Sequence, residues 1–142
     1  MSYTFLSNKY VAIIGDIVNS KKIEDRKSVQ KKLKAVLENI NLKYSEDIVS
    51  KFIITLGDEF QGLLKNRNNI MDIITEIEMV MTPIEVRFAI GIGDITTDIV
   101  LEHSSEIDGP AYHRARKVME EIKNKKKQYT EPYSNIMICS EE

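Results

Sequence analysis

An α+β fold with the element order βαββαβ is predicted by three features of this sequence. The hydrophobic period switches repeatedly between two and that of a helix, two apolar runs flank a Gly57–Asp58 pair suited to a tight hairpin, and two amphipathic stripes alternate with the strand-like runs.

The elements follow in order. "KYVAIIGD" (Lys9 to Asp16) is a short β-branched run ending at Gly-Asp, which suits a central strand buried on both sides. After the polar "NSKKIEDRKS", Val29, Leu33, Val36, Leu37 and Ile40 form one stripe of an amphipathic helix. "KFIITL" and "EFQGLL" flank Gly57–Asp58, a two-residue loop with glycine first that suits a type II′ turn. Ile70, Ile73, Ile74, Ile77, Val80 and Met81 mark a second helix, stopped by Thr82-Pro83. "IEVRFAIGIGDI" is the next strand, with Phe88, Ile90 and Ile92 alternating against Arg87, Ala89 and Gly91. "LEHSSEIDGP" reads as loop, Pro110 opens a third helix to about Lys126, and "NIMIC" is a last short strand. Strand, helix, strand, strand, helix, strand is the ferredoxin-like βαββαβ sandwich, here with an extra C-terminal helix and strand.

Composition sets the outer limits. A chain of 142 residues with 42% hydrophobic content supports one domain, 1–142, with a core of its own. Lys and Arg total 20 against 22 acids, so no general basic field draws in nucleic acid or an anionic membrane. Cys139 is the single cysteine, which excludes an internal disulfide and a cysteine-cluster zinc site and suits a reducing cytoplasm. No run approaches the roughly 20 apolar residues of a membrane span. There is no Walker-type glycine loop and no nucleophile elbow, which sets P-loop and hydrolase chemistry aside.

The candidate site follows from topology. In a βαββαβ sheet the first and third strands are antiparallel neighbours, so Asp16 at the end of one should meet Asp58 at the start of the other. Paired carboxylates beside glycine-bearing turns suit a hard cation, Mg2+ or Mn2+, that carries a phosphate-bearing ligand. The plainer reading is that Gly-Asp is common turn chemistry and each acid is a surface turn. Asn19 and Ser20 could bond phosphate or cap the next turn, and His113 and Lys117, one turn apart on the third helix, could form a solvated face or meet a ligand or a second subunit. Arg114 and Arg116 flank them as phosphate donors of low specificity. Glu59, next to Asp58 on a strand, should point to the opposite face and support a sheet edge. His103 lacks metal-ligand spacing and reads as loop surface, and the "KNKKK" cluster from Lys123 to Lys127 reads as a solvated helix end.

"YVAIIGDIVNSKKIEDR", "ITLGDEFQGLL", "VRFAIGIGDITTDI" and "DGPAYHRARKV" together resemble the SatD family of bacterial proteins over nearly the whole chain. That family's members are usually longer and end in a helix-turn-helix-like segment, so the resemblance leaves open that 1–142 is the N-terminal part of a longer protein. More distantly, "GDIVNS", the Gly57–Asp58 hairpin, "IGIGDI" and "GPAYHRARK" are similar to the motifs of class III nucleotidyl cyclases. That resemblance implies metal-binding roles for Asp16 and Asp58, contacts to triphosphate or ribose from His113, Arg116 and Lys117, backbone approach at Gly57, and a homodimer. It also carries departures. His113 stands where the cyclases have asparagine, Lys117 where they have arginine, Ile54 where adenylate cyclases have a base-reading lysine, and Glu106 in the same rewritten base pocket. Leu56 stands where the diguanylate cyclase hairpin signature has its first glycine.

Three functions remain open on the sequence. The first is a metal-dependent nucleotide-binding domain of cyclase-like fold with nucleotidyl cyclase or related phosphoryl-transfer activity. The second is a non-catalytic sensory domain that binds a nucleotide or dimerises and signals to a DNA-binding segment outside this chain. The third is a structural dimerisation module.

Overall fold

The computed structural model describes residues 10–93, 110–128 and 136–140. His103 and Glu106, singled out above, lie outside the described residues, as do the side chains of Lys125 to Lys127. The strands are β1 (Tyr10–Ile17), β2 (Ile48–Leu56), β3 (Glu59–Leu64), β4 (Val86–Gly93) and β5 (Ile136–Ser140). The helices are α1 (Arg26–Lys43), α2 (Ile70–Met81) and α3 (Pro110–Gln128). The sheet order is β2-β3-β1-β4-β5. β1 is antiparallel to both β3 and β4, while β5 joins β4 in parallel. Among the described residues no helix is long and apolar enough to cross a membrane.

Local chemistry explains most boundaries. Asp25 caps α1 by accepting a hydrogen bond from the Ser28 N–H at 3.1 Å. The hairpin joining β2 and β3 is the two-residue loop Gly57–Asp58, with Gly57 at φ +55°. Positive φ at the first loop position alone is the type II′ pattern, and glycine adopts it without a Cβ penalty. β2 begins earlier than its apolar run suggests, at Ile48. A turn from Tyr44, whose carbonyl accepts from the Asp47 and Ile48 amides, delivers it directly from α1.

Side-chain alternation along the strands sends residues to two separate cores. Val11, Ile13, Phe60, Phe88 and Ile90 face α1 and α2, which pack together on one side of the sheet as the stripes on both helices predict. There Phe60 and Phe88 meet edge to face, with ring centroids 6.1 Å apart. Ala12, Ile14, Leu63 and Ala89 face α3 on the other side, where Ala115, Val118 and Ile122 cover them. α3 lies very close to the sheet: a Cβ on Gly91 would fall 2.0 Å from the Ala111 carbonyl oxygen and 2.5 Å from the Ala115 nitrogen. Only glycine permits that approach, and it fixes α3 across β4 and β1.

Candidate functional site

Asp16 is the penultimate residue of β1, and strand alternation puts its side chain on the α3 side of the sheet, between Gly15 and Ile17 on the other side. Its direct cross-strand neighbours are Glu59 on β3 and Arg87 on β4. The α3 side of the sheet therefore ends in a charged row, Glu59–Asp16–Arg87, just where the apolar residues stop. The hairpin lies alongside, because the Ile17 N–H donates to the Asp58 carbonyl at 3.2 Å. The predicted meeting of the first and third strand ends is thus present, and Asp16 and Asp58 line one cleft of about 800 Å3.

The electrostatics of the row are specific. Asp16 is 5% exposed, and a carboxylate so far from water needs compensation. Two cations supply it at one oxygen. Arg87 Nη2 donates to Asp16 Oδ2 at 2.8 Å, and Lys123 Nζ from α3 lies 3.2 Å from the same atom. Arg87 Nε is buried without a hydrogen-bond partner among the described residues, so the guanidinium keeps donor capacity unused. Beside this pair Arg116 of α3 donates to Glu59 at 2.7 Å and lies 3.5 Å from Gln61 Oε1.

The other sequence candidates divide. Asn19 and Ser20 line the cleft together with Asp16 and Asp58. Asn19 sits in the left-handed region at φ 54° ahead of a single 3-10 turn, Ser20–Lys22, and its side chain makes no capping bond, so capping is not its role there. Gly57 opens instead on a separate groove of about 670 Å3 beside Lys27 and Lys31 of α1, and its carbonyl accepts from Gln30 at 2.9 Å. Arg116 reaches the cleft wall through Glu59 and does not itself line the cleft. His113 and Lys117 are exposed on α3 and also lie outside the cleft lining. Arg114 donates to the Ile92 carbonyl at 2.7 Å and so ties α3 to β4.

Glu59 corrects an expectation. It lines the same cleft as its chain neighbour Asp58 and does not support a sheet edge, because β3 is an inner strand and Glu59 is the register partner of Asp16. Sequence reasoning also missed Arg87 and Lys123. Arg87 had a signal, since it is the one charged residue in the buried β4 run and a charge there needs a partner. Lys123 had only its position seven residues after Arg116, two turns along the same side of α3.

A family model for the SatD family matches residues 10–142. The chain belongs to the SatD family. No curated protein matches the SatD chain in sequence. Among solved structures, it is similar to the catalytic core of a rhodopsin–guanylyl cyclase with converted specificity, crystallised in complex with ATPαS. The TM-score is 0.55 at 17% identity, over 78% of this chain and 70% of that one, so the likeness is one of fold: an α+β, cyclase-core-like architecture.

A divalent cation makes its own demands on a donor set. Among the described residues no three His, Cys, Asp or Glu side chains converge to hold an ion, and two cations already balance Asp16. That composition suits a resident metal poorly. It does suit Mg2+ arriving with a phosphate group, because such an ion needs only one or two protein carboxylates while phosphate and water complete its shell. Asp16 and Asp58 are the carboxylates that would hold it.

Proposed function

We propose that this SatD domain, a ferredoxin-like βαββαβ unit extended by α3 and β5, is a metal-dependent nucleotide-binding domain whose site is the cleft at the end of β1. The observation that carries this reading is Asp16, a nearly buried carboxylate opening on the same cleft as Asp58 and overlaid by two cations. A site with both acids and bases can hold a cation and the phosphates that accompany it. Asp16 and Asp58 would bind Mg2+ or Mn2+, which supplies charge neutralisation at phosphate oxygens. Asn19 and Ser20, which line the cleft, would orient the phosphate or ribose, and Arg87 and Lys123 would offset its negative charge.

One placement favours binding without turnover in a single chain. His113, Arg116 and Lys117, the candidate catalytic and phosphate contacts, lie outside the cleft lining. We therefore propose nucleotide binding as the activity of the single domain. Nucleotidyl cyclase or related phosphoryl transfer would follow only where a homodimer brings the exposed face of α3 on one protomer to the cleft of the other.

Charge removal at Asp58 is the test. Asp58→Asn keeps the turn's shape, so its stability should stay within about 0.5 kcal/mol of wild type. In a thermal-shift series of nucleotides with and without Mg2+ or Mn2+, a ligand at 100 times its Kd should add about 2.7 kcal/mol to the wild type. The variant should lose that metal-dependent gain, and Asp16→Asn should lose it without adding to the Asp58 effect. Undiminished metal-dependent binding in the double variant would reduce Gly57–Asp58 to a tight turn.

A further inference from the structure

We propose that Lys123 couples cation binding to phosphate binding in the Asp16 cleft. Its ammonium group occupies the cation's place on Asp16 in the unliganded molecule and transfers to the phosphate when a cation takes the carboxylate. This rests on the cleft being a site for a phosphate-bearing ligand.

The charge count in the row singles the lysine out. Glu59 is matched by Arg116, and Asp16 is matched by Arg87. Lys123 is then a second cation on an oxygen whose charge is already balanced. The two cations on Asp16 Oδ2 also differ in freedom. Arg87 has only 13% of its side chain exposed and sits within the sheet, whereas Lys123 has 37% exposed and comes from the helix above. A lysine is a compact point charge on a flexible stem, while an arginine is held by its planar fork. Lys123 can therefore swing away while Arg87 stays. Asp58, which lines the same cleft, has no ion-pair partner among the described residues and remains available to the incoming cation.

The consequence is a site that holds either ligand component alone more weakly than the two together. A bare divalent cation must displace an ammonium that then has nothing to bind. A bare polyphosphate meets the carboxylate of Asp58 with no metal ion between. Together they exchange partners without stranding a charge, so the lysine makes the site select the metal–phosphate pair over its parts.

The experiment measures the two components separately. Mn2+ alone is titrated by electron paramagnetic resonance, and inorganic triphosphate is titrated by calorimetry in the presence of a chelator, on wild type, Lys123→Met and Lys123→Arg. Loss of the ammonium should tighten Mn2+ about tenfold, because one repelling charge leaves the cleft. It should weaken triphosphate about tenfold, because one charged donor is gone. Lys123→Arg should restore both towards wild type. A lysine that only braces the fold would shift both affinities in the same direction or neither, so that pattern, or absence of Mn2+ binding to the Met variant, overturns the coupling role. If Lys123→Met fails to fold by circular dichroism, Lys123→Gln, which keeps a polar helix surface, is measured to the same criteria. Neither probe contains a nucleoside. Opposite shifts alongside a failed nucleotide series would therefore remove nucleotide binding and keep the coupling, while the reverse pattern would remove the coupling alone.

Discussion

Under α1 and α2 the sheet buries Phe52, Phe60, Phe88 and a dense set of isoleucines and leucines, whereas under α3 it buries Ala12, Ile14, Leu63 and Ala89 against Ala111 and Ala115 of the helix and ends in Glu59, Asp16 and Arg87. The first face maximises apolar area removed from water, at roughly 25 cal/mol per Å2. The second brings a helix close enough to the sheet for Arg116 and Lys123 to reach strand carboxylates. One sheet thus separates two demands, with stability concentrated on one side and charge placement on the other. Substitutions on the two faces should therefore have different signatures: loss of stability with binding retained on the α1/α2 face, and loss of cleft geometry on the α3 face.

The largest expected effect lies on the first face. Phe88 is fully buried and packs edge to face on Phe60. Phe88→Ala should cost about 3–5 kcal/mol in urea unfolding, from lost transfer free energy and a residual cavity. Under conditions where the variant is still folded, the affinity of the Asp16 cleft for the inorganic triphosphate probe should change little, because Phe88 points away from α3. A cost below about 1 kcal/mol, or a loss of cleft binding as large as the loss of stability, would break the division between the faces.

Gly91→Ala should give the converse signature. The new Cβ meets the backbone of α3 at Ala111 and Ala115, and backbone cannot rotate aside as a side chain can. Overpacking of this kind costs about 1–3 kcal/mol, less than the Phe88 cavity. The helix must lift, however, and Arg116 and Lys123 lift with it. The variant should lose triphosphate affinity in the chelator titration out of proportion to its modest loss of stability. Wild-type affinity in a Gly91→Ala protein of reduced stability would show that the close packing of α3 does not position the cleft.

How much of this was legible in the sequence also differs between the faces. The α1/α2 side was readable because each element there carries its own periodic signal: Leu33, Val36, Leu37 and Ile40 on α1 and Ile70, Ile73, Ile74 and Ile77 on α2 are all buried as their spacing predicts. The strand Glu59–Leu64 and the helix Ile70–Met81 have the boundaries that local pattern assigns them. The approach of Asp16 to Asp58 was readable from topology, because an antiparallel β1–β3 pair leaves no other arrangement of those strand ends. The cations on Asp16 were not. Arg87 is 71 residues away, and pairing it with Asp16 needs the β1–β4 register, which no local pattern encodes. Lys123 looked like one lysine in a basic helix end, and only the close seating of α3 on Gly91 brings it to the carboxylate. Likewise the place of Glu59 depended on which strands are inner, a property of the sheet as a whole.

The smallest effect tests the α1/α2 face at its solvent rim. Lys43 and the Tyr44 hydroxyl, at the end of α1, both donate to Glu76 Oε1 on α2, the tyrosine at 2.9 Å. The hydrogen bond from Lys43 holds the Glu76 carboxyl below its ordinary value near 4.5, with Tyr44 adding to that effect and partial burial opposing it. The same contact raises Lys43 above 10.5, through its hydrogen bond and charge interaction with Glu76. The signs fix two pH windows. A depressed carboxyl contributes stability that is present above about pH 4.5 and lost as pH falls through the lower folded value. A raised lysine contributes stability that is present below 10.5 and lost as pH rises through its higher folded value. Between the windows the link is intact, but it is solvent-facing and screened by salt, so it should be worth far less than the Phe88 contact beneath it. Melting temperatures of wild type and Glu76→Gln, followed from neutral pH into acid at low salt, should therefore differ slightly at neutrality and converge as pH falls through the depressed Glu76 value, as the wild type loses what the variant never had. Parallel acid profiles, with a constant offset between the two proteins, would mean that the Lys43–Glu76 link adds nothing to the joining of α1 and α2, and that the face is held by its apolar core alone.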